Sequence, residues 1–334
     1  MQSSPGSRAG PQARSALSEA KQSNPGSRAG PQARSALSGA KQSNAARMTR
    51  VTTILSIQSS VAYGHVGNSA VIFPLMRMGV NVWPVITVHF SNHTGYQTWR
   101  GPLLSAADLS EVVRGIDELG VLGEVDAVLS GYQGGEDIGA MILDAVALVK
   151  LRNPAAIYCC DPVLGDADHG SYVRPGIPEL MRERVVPAAQ IITPNQFELR
   201  SLTGLPVSTV AEVLNAVDTV RQLGPEVVLV TSVVRPNGAP ATIDMIAVST
   251  DGAWLVTTPR LPQTFTGSGD VTAATFLASL LGGQDVPEAL AHTAAVIYGL
   301  LVVTADSGGG ELALIAAQDE FVHPSNTFEP VRLR

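Results

Sequence analysis

The sequence predicts an α/β protein in which helices cover both faces of a mostly parallel central sheet. Short apolar segments alternate with helical segments along most of the chain, which is typical of repeated βαβ units. Apolar residues make up 45% of the 334 residues, and charged residues make up only 15%. This composition suits a sheet that is buried on both faces. Polar residues end most of the apolar segments, and in open α/β sheets such strand ends form the ligand site.

The first predicted strand is 51–59, because its β-branched residues run up to the polar pair Gln58 and Ser59. A loop then leads into an apolar helix that ends near Met78, and Gly79 closes it. The later elements repeat this order of strand, polar residue, loop and helix. The further strands are predicted at 81–90, 126–130, 155–160, 190–193 and 227–233, and the further helices at 103–119 and 138–152.

Two more segments, 242–248 and 253–258, are separated by Asp251-Gly252 and predict an antiparallel pair at one side of the sheet. Because parallel strands share one carboxyl edge, the polar residues that follow them should gather there. These residues are Ser59, Ser91, Tyr132, Asp161, Asn195 and Ser232.

The most informative motif is Gly267-Ser268-Gly269-Asp270, which precedes an apolar helical stretch over 275–281. Glycines allow backbone N–H groups to converge on an anion, and a helix N-terminus adds partial positive charge. A carboxylate beside such a cradle makes sense where a hydroxyl must lose its proton. The motif therefore indicates phosphoryl transfer to an alcohol. The alternative is an ordinary helix cap, with Asp270 favouring the first turn.

Several other classes of protein are excluded or disfavoured by the sequence. It contains no Gly-Lys-Ser/Thr of a P-loop, no Gly-x-Gly-x-x-Gly after the first strand and no His-Glu-x-x-His. The two cysteines, Cys159 and Cys160, are adjacent and should point to opposite faces of a strand, so neither a disulfide framework nor a metal site is expected. A reducing, cytoplasmic location fits this cysteine usage. The apolar stretch 289–305 predicts a buried helix rather than a membrane span.

The first 47 residues differ from the rest in composition. Residues 2–21 recur as 22–41 with two differences, and Ser, Gly, Pro, Ala, Gln and Arg dominate. Such a segment buries little apolar surface, so we expect a disordered extension. It was either added to the natural chain or results from a start codon assigned too early, with Met48 as the natural first residue.

We expect residues 48–334 to form one catalytic domain. Seven of the 22 Lys and Arg residues and one of the 29 acidic residues precede Met48, so the remainder carries a formal charge of −13. This acidity disfavours nucleic-acid binding.

Three stretches together resemble the signatures of the ribokinase superfamily. They are Asp161-Pro162-Val163-Leu164-Gly165-Asp166, Thr193-Pro194-Asn195-Gln196-Phe197-Glu198 and Gly267-Ser268-Gly269-Asp270. Four others resemble those of pyridoxal kinases. They are Ser56-Ile57-Gln58-Ser59, Gly64-His65-Val66-Gly67-Asn68, the run from Phe90 to Tyr96, and Ser130-Gly131-Tyr132. The resemblance spans about Met48 to the C-terminus and implies a ribokinase-like three-layer fold.

The resemblance implies ATP-dependent phosphorylation of the 5′-hydroxymethyl group of pyridoxal, and also of pyridoxine or pyridoxamine. Asp270 would be the base, and Gly267, Ser268 and Gly269 would cradle the γ-phosphate. The family usually has Thr at the position of Ser268; Ser keeps the hydroxyl but loses the methyl group. Ser59 would form a hydrogen bond with the substrate on the side of its pyridine ring. The vitamin pocket would be lined by Val66, Phe90, Thr94, Gly95 and Tyr132.

The nucleotide site is implied in the same way. Asp161 and Glu198 would act at Mg²⁺, which favours a few carboxylates with phosphate oxygens and water. Tyr172 matches a flap residue that would keep water from the γ-phosphate. The positions that match nucleotide contacts are Asp161, Asp166, Thr193, Asn195, Glu198, Thr231, Ser232, Thr258, Pro259, Arg260 and Leu261. Asn195 and Glu198 also fit an ordinary helix cap. The dependence on a monovalent cation such as K⁺ is left open.

His65 and His93 are expected to have hydrogen-bonding roles in their loops, because Asp270 already fills the role of base. The resemblance further implies a homodimer. Two alternatives remain open: a kinase of another hydroxymethyl heterocycle, such as hydroxymethylpyrimidine, or of a sugar, and a non-catalytic protein that binds pyridoxal phosphate.

Overall fold

A nine-stranded sheet forms the centre of the protein. The computed structural model describes residues 50–168, 170–235 and 241–334. Six neighbouring strands of the sheet are parallel. They are β1 (Thr53–Val61), β2 (Asn81–Phe90), β3 (Ala127–Ser130), β4 (Ile157–Cys160), β7 (Ile191–Ile192) and β8 (Val227–Val233). Antiparallel strands extend one side, namely β9 (Thr242–Ser249), β10 (Gly252–Pro259) and β11 (Val331–Arg332). The order is β11-β10-β9-β8-β7-β4-β3-β1-β2, and β5 (Gly165–Asp166) pairs separately with β6 (Gly170–Ser171).

Helices connect the strands. The α-helices of the described residues are α1 (Asn68–Arg77), α2 (Ala106–Glu118), α3 (Glu136–Arg152), α4 (Ile177–Leu180), α5 (Val186–Ala188), α6 (Gln196–Thr203), α7 (Val210–Arg221), α8 (Ser268–Leu281) and α9 (Val286–Ser307). A 3₁₀ turn spans Leu122–Glu124, and a π-helical turn over Met181–Val185 joins α4 to α5. Helix α8 packs between α1 and α9, while α2 packs on α3 and α6 packs on α7.

Both faces of the sheet are buried, as the apolar composition requires. Leu55 and Ile57 of β1 belong to a core cluster with residues of α2, α3, α6 and α7. The alternating residue Ile54 is equally buried, although it lies outside that cluster. Cys159 and Cys160 follow the same alternation, and both are buried and free. The predicted three-layer α/β architecture is therefore confirmed.

The connections change sides at the boundary between β1 and β3. Strand β1 is followed by α1, which packs against α8, whereas β3 is followed by α3, which packs against α2. β1 and β3 are nevertheless neighbours in the sheet. A crevice opens at the carboxyl ends of strands where the connections diverge in this way, and ligands of open α/β sheets bind there.

Most predicted elements lie within a few residues of the observed ones, and two differences have clear causes. The helix predicted at 103–119 begins at Ala106, because Leu103 forms a β-bridge with Val88 and Ser105 caps the helix by accepting the N–H of Asp108 at 3.1 Å. Strand β1 continues to Val61 through a register shift between Gln58 and Ser60, which places Ser59 at a bulge. Helices α4, α5 and α7 and strand β11 were not predicted. The proposed extension, residues 1–47, lies outside the described residues.

Helix α9 is long and apolar enough to span a membrane by length and composition alone. Within the part of the chain that the structure describes, 56% of its most apolar window is buried inside the protein. A helix in the core of a folded protein passes the same test of length and hydropathy. The burial of α9 therefore agrees with the buried helix that the sequence predicts.

The start of α8 is held close to the loop that precedes α1. Gly267 caps α8 with φ 85°, in the left-handed region that favours glycine. A Cβ atom placed on Gly267 would lie 1.9 Å from the carbonyl oxygen of His65. A Cβ atom on Gly269, two residues later, would have no neighbour within 4 Å. The two glycines of the motif therefore have different constraints, since only Gly267 is fixed by the fold.

We expect Gly267→Ala to destabilise the protein by about 2 kcal/mol or more, because the left-handed conformation and the backbone clash both act on the new methyl group. Gly269→Ala is the matched control. It should leave stability unchanged or raise it by up to about 1 kcal/mol, since alanine favours a helix. Urea unfolding of both variants measures the difference. Equal stability of the two variants would contradict the assigned constraint.

Candidate active site

The carboxylate of Asp270 joins the start of α8 to the start of α1. The backbone N–H groups of Gly67, the residue that caps α1, and of Asp270 itself lie near this carboxylate and favour its charged form. Burial nevertheless raises the pKa of Asp270 to about 6, and these N–H groups oppose the rise. The side chain is half-buried, so solvent still reaches it. Asp270 is therefore a carboxylate with the basicity of a group that titrates near neutral pH.

Ser59 lies next to this contact. A Cβ atom on Gly67 would lie 2.5 Å from Ser59 Oγ and 2.4 Å from Ser59 O, so only glycine allows the approach. Gly67 has φ 51° and ψ −133°, a conformation that glycine adopts most readily. Ser59 lies at the register shift of the β1–β2 pair, where it faces two residues of β2, Thr87 and Val88, and such irregularities are common beside active sites. The structure thus brings Ser59, Gly67 and Asp270 together.

Ser268 uses its hydroxyl group to close the cradle rather than to face open space. Its Oγ donates to the carbonyl oxygen of Phe265 at 2.8 Å, and its backbone N–H points to the same oxygen at 3.3 Å. Thr272 Oγ1 in turn donates to Ser268 O at 2.7 Å. A serine hydroxyl is therefore sufficient to fix this turn. The empty space beside Gly269 leaves room for an anion at the first turn of α8.

A second group of acids lies at the ends of β4 and β7. Asp161 directly follows β4, is buried, and accepts a hydrogen bond from Thr193 Oγ1 at 2.9 Å. Burial and the negative charges of Glu198 and Asp270 raise the pKa of Asp161 well above its usual value. The carboxylates of Asp161, Glu198 and Asp270 therefore lie close enough to repel one another.

Glu198 is held by backbone donors on two sides. Its Oε1 accepts the N–H of Leu164 at 2.8 Å, and its Oε2 accepts the N–H of Asn195 at 2.9 Å. The second bond belongs to a capping box at the start of α6, so the predicted cap is confirmed. Burial raises the pKa of Glu198 to about 7, although these N–H groups oppose the rise. The nearby Val163 has φ 45°, a strained conformation for a β-branched residue.

Other predicted nucleotide residues border this group. Thr231 donates its N–H to Pro194 O at 3.0 Å and bridges to Asn195, whose side chain donates to Gly165 O at 2.8 Å. Ser232 has φ 55° at a register shift in β8, so it lies within the strand rather than after it. Thr258 and Pro259 end β10. Arg260 is tied to the strand ends by its N–H, which donates to Ala241 O at 2.7 Å, and Leu261 follows it.

Tyr172 and Asp166 lie beside the acids on the small hairpin β5–β6. Burial of the ring and the charges of Glu198, Asp161, Asp166 and Asp270 raise the pKa of Tyr172. Its N–H donates to Leu164 O at 3.2 Å. Asp166 accepts the N–H of Asp168 at 2.9 Å within the turn of the hairpin. The predicted flap residue is therefore close to every acid of the site.

The predicted vitamin residues lie around β2 and β3. Val66 packs against a small apolar cluster of Val61, Val88 and Phe90. Tyr132 O accepts a long hydrogen bond of 3.5 Å from Thr87 Oγ1, and burial raises the pKa of Tyr132 while Arg174 opposes the rise. Thr94 and Gly95 stand in the loop after β2, where the N–H of Gly95 donates to His93 Nδ1 at 3.2 Å. The roles assigned to these residues stay predictions.

One group of contacts carried no signal in the sequence. Glu311, in the segment after α9, accepts hydrogen bonds from the N–H of His65 at 2.9 Å and from Tyr96 OH at 2.7 Å. His93 Nε2 lies 3.2 Å from the same carboxylate. These contacts confirm that His93 has a hydrogen-bonding role in its loop. The partners of Glu311 are 215 to 246 residues away in the chain, so no local pattern could have indicated them.

The geometry agrees with what known proteins show. The family model described as phosphomethylpyrimidine kinase matches residues 124–313. A pyridoxal kinase, PdxY, of Rubrobacter xylanophilus is 56% identical over 280 residues, which are 84% of this chain and 96% of the relative. The pyridoxal kinase of Leishmania donovani in complex with ADP and ginkgotoxin is 28% identical with a TM-score of 0.79, over 85% of this chain and all of that chain. In its complex with ADP and pyridoxine, the same enzyme gives a TM-score of 0.78 at 28% identity, over 84% and 99% of the two chains.

The three-layer α/β fold thus agrees with these similarities over most of the chain. This chain belongs to the pyridoxal kinase family and has its ribokinase-like fold.

Proposed function

We propose that this protein transfers the γ-phosphate of ATP to the 5′-hydroxyl group of pyridoxal, giving pyridoxal 5′-phosphate and ADP. One observation carries the proposal: Asp270, in the first turn of α8, lies near Gly67, which itself packs on Ser59, and the charge of Asp270 acts on Asp161. This position supports a base that lies between the predicted vitamin site and the predicted nucleotide site. The known relatives support the two substrates, since the solved structures hold ADP with pyridoxine or pyridoxamine.

Asp270 would take the proton of the 5′-hydroxyl group as its oxygen attacks the γ-phosphorus. The bond to the β-phosphate then breaks, and its electron pair leaves with ADP. The backbone N–H groups of Gly267, Ser268 and Gly269 would stabilise the charge on the transferred group. A base with a pKa of about 6 is stronger than an ordinary carboxylate and still ionised at neutral pH, which suits this role.

Asp161 and Glu198 would hold Mg²⁺ together with the phosphates of ATP. Burial raises the pKa of Asp161, Glu198 and Asp270, and the charges of Glu198 and Asp270 add to the rise at Asp161, which supports a cation beside Asp161. Among the described residues, no group of three or more acid, histidine or cysteine side chains is arranged to hold a metal ion by itself. This suits Mg²⁺, which is commonly bound by one or two carboxylates, phosphates and water. The ion supplies neutralisation of charge on the phosphates.

The second candidate is phosphorylation of a hydroxymethylpyrimidine, which the name of the matching family model favours. Both substrates present a primary alcohol on a heteroaromatic ring, so the same base and cradle would serve either. The distinction therefore rests on the pocket around Val66, Phe90, Thr94 and Tyr132. A homodimer and a cytoplasmic location also belong to the proposal; the free cysteines Cys159 and Cys160 are consistent with the second.

We expect Asp270→Asn to lower the turnover of pyridoxal by about 10²- to 10⁴-fold, because one positioned base is lost. The measurement is ATP-dependent formation of pyridoxal 5′-phosphate, with hydroxymethylpyrimidine as the competing substrate. Asp285→Asn is a matched control, since Asp285 caps the neighbouring helix α9 and asparagine caps equally well. Full turnover by Asp270→Asn would remove Asp270 from its role. Faster turnover of hydroxymethylpyrimidine by the wild type would favour the second candidate.

The same substitution should stabilise the protein at alkaline pH. A folded pKa of about 6, above the ordinary 3.8, means that the folded state binds the proton more tightly than the unfolded state does. The stability that the Asp270 carboxyl group contributes is therefore present at low pH and is lost as the pH rises from about 4 to 6. After allowance for the partial exposure of Asp270, we expect Asp270→Asn to gain about 1–2 kcal/mol at pH 8 and little at pH 4.5. Urea unfolding at both values tests this, and a loss at pH 8 would contradict it.

Replacement of the acids at the nucleotide site should raise the requirement for Mg²⁺. We expect Asp161→Asn and Glu198→Gln each to raise the Mg²⁺ concentration for half-maximal turnover by about 10-fold or more, since a carboxylate charge at the ion is lost. Glu212→Gln is the matched control, because Glu212 occupies the corresponding capping-box position at the start of α7. Titration with MgCl₂ at saturating pyridoxal measures the effect. An unchanged titration for Asp161→Asn would place the ion elsewhere.

A further inference from the structure

The carboxylate of Glu311 lies where two loops and the segment after α9 meet. Glu311 follows Gly308, the left-handed residue that ends α9, and its side chain is only 11% exposed. The segment is fixed on both sides of it. Leu312 is buried, and the N–H of Ala313 donates to Thr304 Oγ1 of α9 at 3.0 Å. Glu311 is thus a charged group presented from a well-anchored backbone.

Each oxygen of Glu311 binds a different loop. Oε2 accepts the N–H of His65, in the loop between β1 and α1, at 2.9 Å. Oε1 accepts Tyr96 OH, in the loop after β2, at 2.7 Å and lies 3.2 Å from His93 Nε2. The first loop contains Val66, and the second contains Thr94. One carboxylate therefore joins the two loops that carry predicted vitamin contacts.

The tautomer of His93 follows from its two partners. Its Nδ1 accepts the N–H of Gly95 at 3.2 Å, so this nitrogen carries no proton in the neutral ring. The proton is then on Nε2, which donates to Glu311 Oε1. The ring of Tyr96 lies on that of His93 with centroids 4.6 Å apart. Glu311 thereby orients the rings of His93 and Tyr96 in the second loop.

Gly64 leaves the space that the carboxylate occupies. A Cβ atom on Gly64 would lie 2.4 Å from Glu311 Oε2, and the φ of 91° also favours glycine. The next residue, His65, presents its N–H to Glu311 and its carbonyl oxygen to Gly267 of the cradle. A chain of contacts thus runs from Glu311 through His65 to the start of α8.

We propose that Glu311 is a positioning residue for the vitamin site, which holds the loops 62–68 and 91–101 in the conformation that binds pyridoxal. The inference rests on the proposed function, and it assigns to Glu311 no contact with the substrate. It follows from the geometry that loss of the carboxylate frees both loops at once. Substrate binding must then order them, and this lowers the affinity for the vitamin. Asp161 and Glu198 lie on other elements and keep their positions, so the binding of ATP is affected much less.

We expect Glu311→Ala to raise the KM for pyridoxal by about 10- to 100-fold, as befits loss of several hydrogen bonds to a charged group. The KM for ATP should stay within about threefold of wild type. Glu311→Gln should raise the KM less, because its carbonyl oxygen still accepts from Tyr96 while its NH₂ group opposes the N–H of His65. Gly64→Ala, which pushes on the carboxylate from the other side, should act like Glu311→Ala.

Asp319→Asn is the matched control. Asp319 lies in the same C-terminal segment and also binds another element, since Arg77 at the end of α1 donates to it at 2.9 Å, but this ion pair is on the surface. Asp319→Asn should leave the KM for pyridoxal and the KM for ATP unchanged. Tyr96→Phe should raise the KM for pyridoxal in the wild type and have little further effect in Glu311→Ala, because the two side chains act through one hydrogen bond.

Hydrogen exchange of the unliganded protein gives a readout independent of turnover. Glu311→Ala should speed exchange in 62–68 and 91–101, and Asp319→Asn should not. An unchanged KM for pyridoxal in folded Glu311→Ala overturns the inference, and so does an equal rise in the KM for ATP, which would indicate a general structural role. If the wild type does not phosphorylate pyridoxal, the proposed function fails, and hydrogen exchange alone then tests whether Glu311 holds the two loops. If 62–68 and 91–101 stay protected in Glu311→Ala, the inference is overturned as well.

Discussion

The packing of the loop before α1 against the start of α8 joins two distant parts of the described chain. Much of the predicted site depends on this contact. It requires glycine at 67, because Ser59 lies directly behind that residue, and glycine at 267, because His65 O lies against that position. It also brings the backbone N–H of Gly67 near the carboxylate of Asp270, whose pKa this group lowers. The predicted base and the predicted phosphate cradle therefore depend on one tertiary contact.

Electrostatics set a second constraint on the same region. Asp161, Glu198 and Asp270 approach from β4, α6 and α8, three elements that do not follow one another in the chain. Burial makes their charges unfavourable, and the charges of Glu198 and Asp270 raise the pKa of Asp161 further. Hydrogen-bond donors of the protein offset only part of this cost of buried charge. They are the N–H groups of Leu164 and Asn195, which bind Glu198, and the hydroxyl of Thr193, which binds Asp161. The arrangement is stable at neutral pH chiefly when a cation or a proton is present, as is common at functional sites.

The fold could be predicted from local patterns because each parallel strand is apolar and ends at a polar residue. Asp161 and Tyr132 stand where those patterns placed them. Patterns failed where long-range contacts decide the local structure. Leu103 looks helical by its spacing, yet it pairs with Val88 and leaves Ser105 to begin the helix. Ser59 was expected after its strand but lies at a bulge within it, and the bulge depends on pairing with β2. Glu311 shows the same limit, since both of its loops lie more than 200 residues earlier in the chain.

The raised pKa of Glu198 has a consequence for how this protein takes up its nucleotide. Because burial raises this pKa, the protonated form of Glu198 persists to a higher pH than that of an ordinary carboxyl group. Only the ionised form would hold the proposed cation and its nucleotide. Binding of the nucleotide would then release a proton, and its affinity would increase as the solution becomes more alkaline.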